Sequence, residues 1–311
     1  MYDDITNFVK SNSRLDLKND YVFKKIFSKP ENSNELKELL EAILEIKIDK
    51  IEVKNPELPK SYKDEKLGIL DILAYVNDNT IIDVEMQVGN VNTIVNRDIR
   101  YSSKIISDQL KVGDKYQFLK KFVSINFLGD NLLRRNTYHS IVHLKFEDID
   151  PDKYVDMGYK QEQQILTDKI EAHYIELSKF IKKNPGFSKK LEQWLWLIVG
   201  EEDKVKMISE ENKTIEKIVD DLDEMSADEN ERLEAYSREL AIWDYNVSIA
   251  ESKEEGIALG KKDVEKKTKE IAKKMKEKGL DIETIVEITG LSKEEIKSLY
   301  YIVLDHFNIK S

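Results

Sequence analysis

The chain contains no cysteine, which excludes disulfides and thiolate metal sites and fits a reducing interior. No stretch approaches the roughly 18 consecutive apolar residues of a membrane-spanning helix, so no membrane partner is expected. The opening MYDDITNFVK is acidic where a signal peptide would be basic, and the cytoplasm is the expected location. Histidine is scarce, four in 311 residues. His139 and His143 stand four apart without a third ligand, a poor zinc pattern that reads as packing or hydrogen-bonding histidines.

A basic surplus is missing too. The net charge is −11, unpromising for contact with phosphates. Its distribution changes that picture. Residues 201–256 hold 19 acidic against 7 basic side chains, so the remainder is close to neutral, and residues 90–145 hold 10 basic against 4 acidic. A local basic patch of this kind suits a polyanion, and a solvated helix face accounts for it nearly as well.

With 40% apolar and 36% charged residues, the chain is long enough for one large or two modest domains with a real core. The stretch that organises it is 67–88, LGILDILAYVNDNTIIDVEMQV. Two runs rich in β-branched and large apolar residues flank Asn77-Asp78-Asn79, which is turn material, and together they read as a hairpin. A loop of those three residues pairs Val76 with Thr80. Leu70, Ile72 and Ala74 then lie opposite Met86, Val84 and Ile82 on an apolar face. The other face carries Asp71 opposite Glu85, with Gln87 beside Ile69 and Asp83 beside Leu73.

Two carboxylates directly opposite one another repel. Either a cation compensates them, in which case oxygen ligands with open positions suit Mg²⁺ or Mn²⁺, or the acids lie in water on an edge hairpin.

Helical segments flank the hairpin. Asn19 or Asp20 can cap a helix carrying Val22, Phe23, Ile26 and Phe27 on one face, and Pro30 stops it. A second helix bears Leu36, Leu39, Leu40, Ile43 and Leu44. Residues 92–112 read as a helix ended by Gly113, with Arg97, Arg100, Tyr101 and Lys104 on one face. That stripe could grip a phosphate backbone or neutralise the nearby acids. Strands are expected at 48–53, 121–128, 138–146 and 169–177. From about residue 188 the pattern is helical, with a long helix over 236–277. In the tail, Ser292 and Glu295 form a capping box after a Thr289-Gly290-Leu291 turn. Lys293-Glu294-Glu295 puts acids where a base-reading helix needs donors.

Five pieces stand in a telling order: Asn19-Asp20-Tyr21-Val22-Phe23-Lys24-Lys25-Ile26-Phe27, Gly68-Ile69-Leu70-Asp71, Glu85-Met86-Gln87, then Arg97, Arg100 and Tyr101, and Thr289-Gly290-Leu291-Ser292. Asp, a short hairpin and Glu-x-Gln between helices resembles the PD-(D/E)XK nuclease superfamily, and more narrowly its recombination-promoting nuclease and transposase (Rpn) branch. The resemblance implies an α/β (α+β) fold: a restriction-endonuclease-like mixed sheet flanked by helices, then a helical C-terminal region with a helix-turn-helix-like tail. The expected domains are 1–187, 188–278 and 279–311.

It also implies a Mg²⁺- or Mn²⁺-dependent DNA endonuclease in a recombination, transposition or defence setting. Asp71 and Glu85, with the Met86 carbonyl, would hold the ion. Gln87 stands where the superfamily usually has lysine and can orient a water without bringing charge. Asp20, Lys24, Arg97, Arg100 and Tyr101 would be accessory. DNA is the expected partner, and a double-strand cut by one site per chain would imply a homodimer. The competing reading is a nuclease-fold module without turnover that binds DNA or a protein.

Overall fold

The computed structural model describes residues 13–54, 57–58, 68–87, 93–145 and 165–299. The sequence also suggests a loose lead-in over 1–14 and a polar connection over 57–66, and both lie almost wholly outside these residues. Helix α1 (Asp20–Phe27) begins at Asn19, whose side chain accepts the amides of Tyr21 at 3.1 Å and Val22 at 3.5 Å. Asn19 is therefore the cap, and Asp20 opens the first turn. Helix α2 (Ser33–Leu44) follows, and both bury one apolar face: Val22, Phe23, Ile26 and Phe27 on α1, Leu36, Leu39, Leu40 and Ile43 on α2.

Strands β1 (Ile51–Lys54), β4 (Ile72–Val76), β5 (Thr80–Gln87), β6 (Lys121–Leu128), β7 (His139–Lys145) and β8 (Ile165–Glu176) form one sheet in the order β1-β4-β5-β6-β8-β7. The short β2 (Glu57–Leu58) and β3 (Gly68–Ile69) pair with each other outside it. The sheet is mixed, because β5, β6 and β8 run parallel while β1, β4 and β7 are antiparallel to their neighbours. Parallel neighbours need a crossover, and between β5 and β6 it contains helix α3 (Ile94–Ser107), shorter than the expected 92–112.

The hairpin has the expected register, Val76↔Thr80, Ala74↔Ile82 and Ile72↔Val84. Asn77 and Asp78 adopt positive φ, 49° and 60°, a conformation that Asn and Asp tolerate better than most side chains. The Asn77 carboxamide also ties the turn to the lead-in of β1, accepting from the amides of Asp49 (2.8 Å) and Lys50 (3.2 Å).

Pairing stops at Ile72, three residues short of the expectation, which ran on through Asp71 and Leu70 to Ile69. Gly68–Ile69 leaves to pair with Glu57–Leu58, and Asp71 sits in a bend. The expected ladder pairs Asp71 with Glu85, Leu70 with Met86 and Ile69 with Gln87 therefore do not form. The bend turns Leu70 to the opposite face, where it packs with Leu73, Ile81, Tyr101, Ile105 and Phe122.

Alternation along the strands gives the sheet two different faces. One carries Ile72, Val76, Ile82, Val84, Met86, Val123, Ile125 and Phe127 and packs on α1 and α2. Phe23 of α1 stacks against Phe27 and Phe127 at centroid distances of 4.8 and 5.7 Å, which fixes α1 on the sheet. The same core takes in Trp194 through Ile198 of α5 (Lys190–Val199), after α4 (Leu177–Lys183), and the apolar faces of α6 (Glu202–Glu211) and α7 (Lys213–Ala227). The other face is polar at its centre, and α3 covers it.

Contacts divide the chain into compact units of residues 1–243 and 244–311. Helices α5 to α7 share the core of α1. Helix α8 (Glu229–Glu277) begins in the first unit. In the second, its C-terminal end packs through Ala272 on α9 (Ile282–Thr289) and helical residues 293–299, around Ile285, Leu291 and Ile296. Gly290 ends α9 at φ 70°, and the Ser292–Glu295 capping box forms as expected, with 2.8 and 3.2 Å bonds. Among the described residues no helix is long and apolar enough to cross a membrane.

Candidate functional site

The bend that ends β4 places Asp71 beside the C-terminal end of β5. The Asp71 amide donates to Glu85 Oε1 at 3.2 Å, and the Met86 amide donates to Asp71 Oδ2 at 2.8 Å. The two acids are thus linked through backbone amides. Glu85 is 4% exposed, and its Oε2 accepts from Arg97 Nη2 of α3.

This pair lies in a cavity of about 450 Å³ where α1, the bend, β5 and α3 converge. Of the expected residues, Asp20, Lys24, Asp71, Glu85, Met86, Gln87 and Arg97 line it. Lys24 Nζ donates to the Leu70 carbonyl at 3.3 Å, next to Asp71 in sequence.

Arg100 and Tyr101 are elsewhere. Tyr101 is 8% exposed and packs with Leu70, Leu73 and Ile81, while the Arg97 and Arg100 guanidinium groups sit 5.9 and 5.7 Å from its ring centroid. Lys104 pairs with Asp108 at 3.1 Å. The basic stripe read from helical spacing is therefore divided: Arg97 reaches the acids, Tyr101 belongs to the core, and Lys104 is tied to its own helix.

Sequence patterning missed Arg238, Tyr21, Lys25 and Ser28 of the cavity lining. Arg238 comes from α8, more than 200 positions after Asp20, and approaches Asp20 Oδ1 at 3.8 Å. Nothing local marks it, because it lies among acidic residues on a helix with little amphipathic pattern. Tyr21 and Lys25 are positioned by the same helix, their hydroxyl and amine reaching Glu231 at 2.7 and 3.0 Å.

Burial dominates the electrostatics. Loss of water raises the Asp71 carboxyl above its ordinary range, opposed first by the Met86 amide, and raises Glu85 further, where the Asp71 charge adds to burial and Arg97 opposes it. Asp83, two residues along the same face, is 2% exposed with no hydrogen-bond partner for Oδ1 among the described residues. Burial, then the charges of Glu85, Asp71 and Asp98, push it well up.

Beneath α3, Asp98 accepts from Tyr174 Oη at 2.6 Å, Ser102 Oγ at 3.0 Å and Asn126 Nδ2 at 3.3 Å. This network ties α3 to β6 and β8 and so holds Arg97 over Glu85.

Among the described residues there is no group of three or more acidic, histidine or cysteine side chains that could hold a metal. Two carboxylates with a backbone carbonyl still fit a hydrated hard divalent ion, since Mg²⁺ commonly keeps several waters and takes one or two carboxylates. The arrangement can hold an oxygen-ligated cation, present a neutral amide at Gln87, and offer basic groups to an anion entering the cavity.

The histidines form a separate cluster. His139 Nε2 meets His173 Nδ1 at 2.8 Å, and His173 Nε2 meets Glu171 Oε1 at 2.8 Å. His139 and His173 are joined through different ring nitrogens from the one facing Glu171, which is hydrogen-bonding geometry and not a shared metal site.

A family model described as PD-(D/E)XK nuclease family transposase matches residues 17–252, and one described as Rpn/YhgA-like nuclease family, C-terminal HTH domain, matches residues 265–300. No curated protein and no solved structure matches significantly.

Proposed function

The chain belongs to the PD-(D/E)XK nuclease family transposases, with a C-terminal helix-turn-helix domain of the Rpn/YhgA-like kind, and from that membership we propose that it is a Mg²⁺- or Mn²⁺-dependent endonuclease hydrolysing DNA phosphodiesters. The observation that carries this reading is the meeting of Asp71 and Glu85 in a cavity also lined by basic side chains. Asp71, Glu85 and the Met86 carbonyl would hold the ion. When bound, it supplies Lewis-acid polarisation of the phosphate and a lowered pKa for a coordinated water.

The protein's own groups do the remaining work. Gln87 orients the attacking water through its amide. Arg97 opposes the upward shift that burial imposes on Glu85 and fixes the direction of its carboxyl group, because a buried carboxylate holds its charge best beside a guanidinium. Asp20 lies at the cavity wall, held near Arg238. DNA is the partner this chemistry requires. A double-strand cut would then need two chains, and the reducing interior suggested by the absence of cysteine makes the cytoplasm the natural setting.

The test is cleavage of supercoiled plasmid in Mg²⁺ or Mn²⁺ against chelator, with Asp71→Ala and Glu85→Ala beside the wild type. Metal-dependent nicking lost in both variants supports the reading; nicking that survives both removes these residues from the site. A second reading, a module that binds DNA without cutting it, draws on the neutral Gln87 and on the Arg97 contact with Glu85. Salt-sensitive DNA binding with no cleavage under any metal would favour it.

A further inference from the structure

We propose that Lys24 supplies the positive charge that the reacting phosphate meets in this site, an assignment that rests on the nuclease reading above. Hydrolysis forms a bond from water oxygen to phosphorus and breaks one ester P–O bond. The water gives up a proton to solvent and the leaving alkoxide gains one, so negative charge builds on the phosphoryl and leaving oxygens in between. Fixed cations aimed at that charge lower the barrier more than any neutral donor does.

Four cationic side chains line the cavity, and their partners separate them. Arg97 is held by Glu85, Lys25 by Glu231 at 3.0 Å, and Arg238 by Asp20 at 3.8 Å. Lys24 alone among these four has a neutral partner, the Leu70 carbonyl at 3.3 Å. Its ammonium is positioned by a neutral group, one residue from Asp71, without the close ion pair that holds the other three.

Its backbone is also rigid. Lys24 follows Phe23, which is fully buried and stacked on Phe127 of β6, so the amine is carried on a helix anchored to the same sheet that bears Glu85. Gln87, on the cavity wall, brings only an amide. The charge missing at the end of β5 thus arrives from α1 across the cavity.

The experiment measures kcat and KM for cleavage of a defined duplex in Mg²⁺, with Mn²⁺ affinity and thermal melting as folding and metal controls, on the full chain. Lys24→Ala should lower kcat by about 10²- to 10³-fold, with KM and Mn²⁺ affinity changed by less than about threefold. Lys24→Arg should retain a substantial part of kcat. Adding Gln87→Lys to Lys24→Ala should recover at least about tenfold, because a lysine there reaches the same cavity.

A folded, metal-binding Lys24→Ala protein with kcat within about threefold of wild type overturns the assignment. So does a loss confined to KM or metal affinity, or one that Gln87→Lys leaves unrelieved. Wild-type cleavage that persists in Asp71→Ala is a different failure: it overturns the site itself, and Lys24 falls with it.

Discussion

The amide of Asp71 donates to the carboxylate of Glu85 at 3.2 Å, while the Asp71 carboxylate accepts from the amide just after Glu85 at 2.8 Å. This reciprocal arrangement holds the two acids side by side through backbone amides. It exists because the β4–β5 ladder ends at Ile72, leaving the Asp71 and Met86 amides on that edge of β5 unused by the hairpin. The site is therefore a property of a strand end.

Arg97 is the group that makes this tolerable. In Arg97→Met, Glu85 loses its charged partner while remaining buried. The expected cost in chelator is about 1 to 3 kcal/mol, at the lower end because the Arg97 side chain is 36% exposed. A divalent cation held by the same acids should offset part of that loss. Urea denaturation with and without saturating Mg²⁺ measures both, and an equal deficit in the two conditions would separate Arg97 from any metal role of Glu85.

Asp98 ties α3 to the sheet. Asp98→Ala strips Tyr174 Oη and Asn126 Nδ2 of a shared acceptor in a buried location, and should destabilise by about 2 to 3 kcal/mol. Asp98→Asn, which keeps one acceptor oxygen, should cost about 1 kcal/mol. Equal stability of the alanine variant and wild type would mean the network does not hold α3.

The histidine cluster predicts acid sensitivity. Burial, then the neighbouring His173, lowers His139 from its ordinary value to about 4. Between pH 6.5 and 4 the unfolded chain binds a proton there that the folded chain does not, so unfolding free energy rises with pH across that window and is lost as pH falls. Glu171, lowered to about 2 chiefly by its hydrogen bond to His173, adds a second loss below pH 4.5. The melting temperature should fall on acidification from pH 6.5, and His139→Gln should flatten the upper part of that slope. An unchanged slope in the variant would assign the effect to other groups.

Much of the hairpin was legible because two-residue periodicity and an Asn-Asp-Asn turn leave little freedom: slipping the register by one would have put Ile82 and Val84 on the polar face. The nearness of Asp71 to Glu85 followed from that register. The strand break at Leu70 did not, since apolar residues run on both sides of Asp71 and the alternation gives no local signal for a bend. Helical spacing grouped Arg97, Arg100, Tyr101 and Lys104 correctly in angle, but angle does not say which side chain the sheet buries, and Tyr101 filled the space beside Leu70. Arg238 was out of reach of any local pattern, because only tertiary packing of α8 on α1 brings it to Asp20.

The central claim, that Asp71 and Glu85 together hold a divalent ion, is tested most directly by titrating Mn²⁺ into the wild type, Asp71→Ala and Glu85→Ala and following the free ion by electron paramagnetic resonance. The account predicts saturable binding by the wild type and at least about tenfold weaker binding in each variant, as expected when one of two carboxylate ligands is removed. Wild-type binding that both substitutions leave unchanged would contradict it.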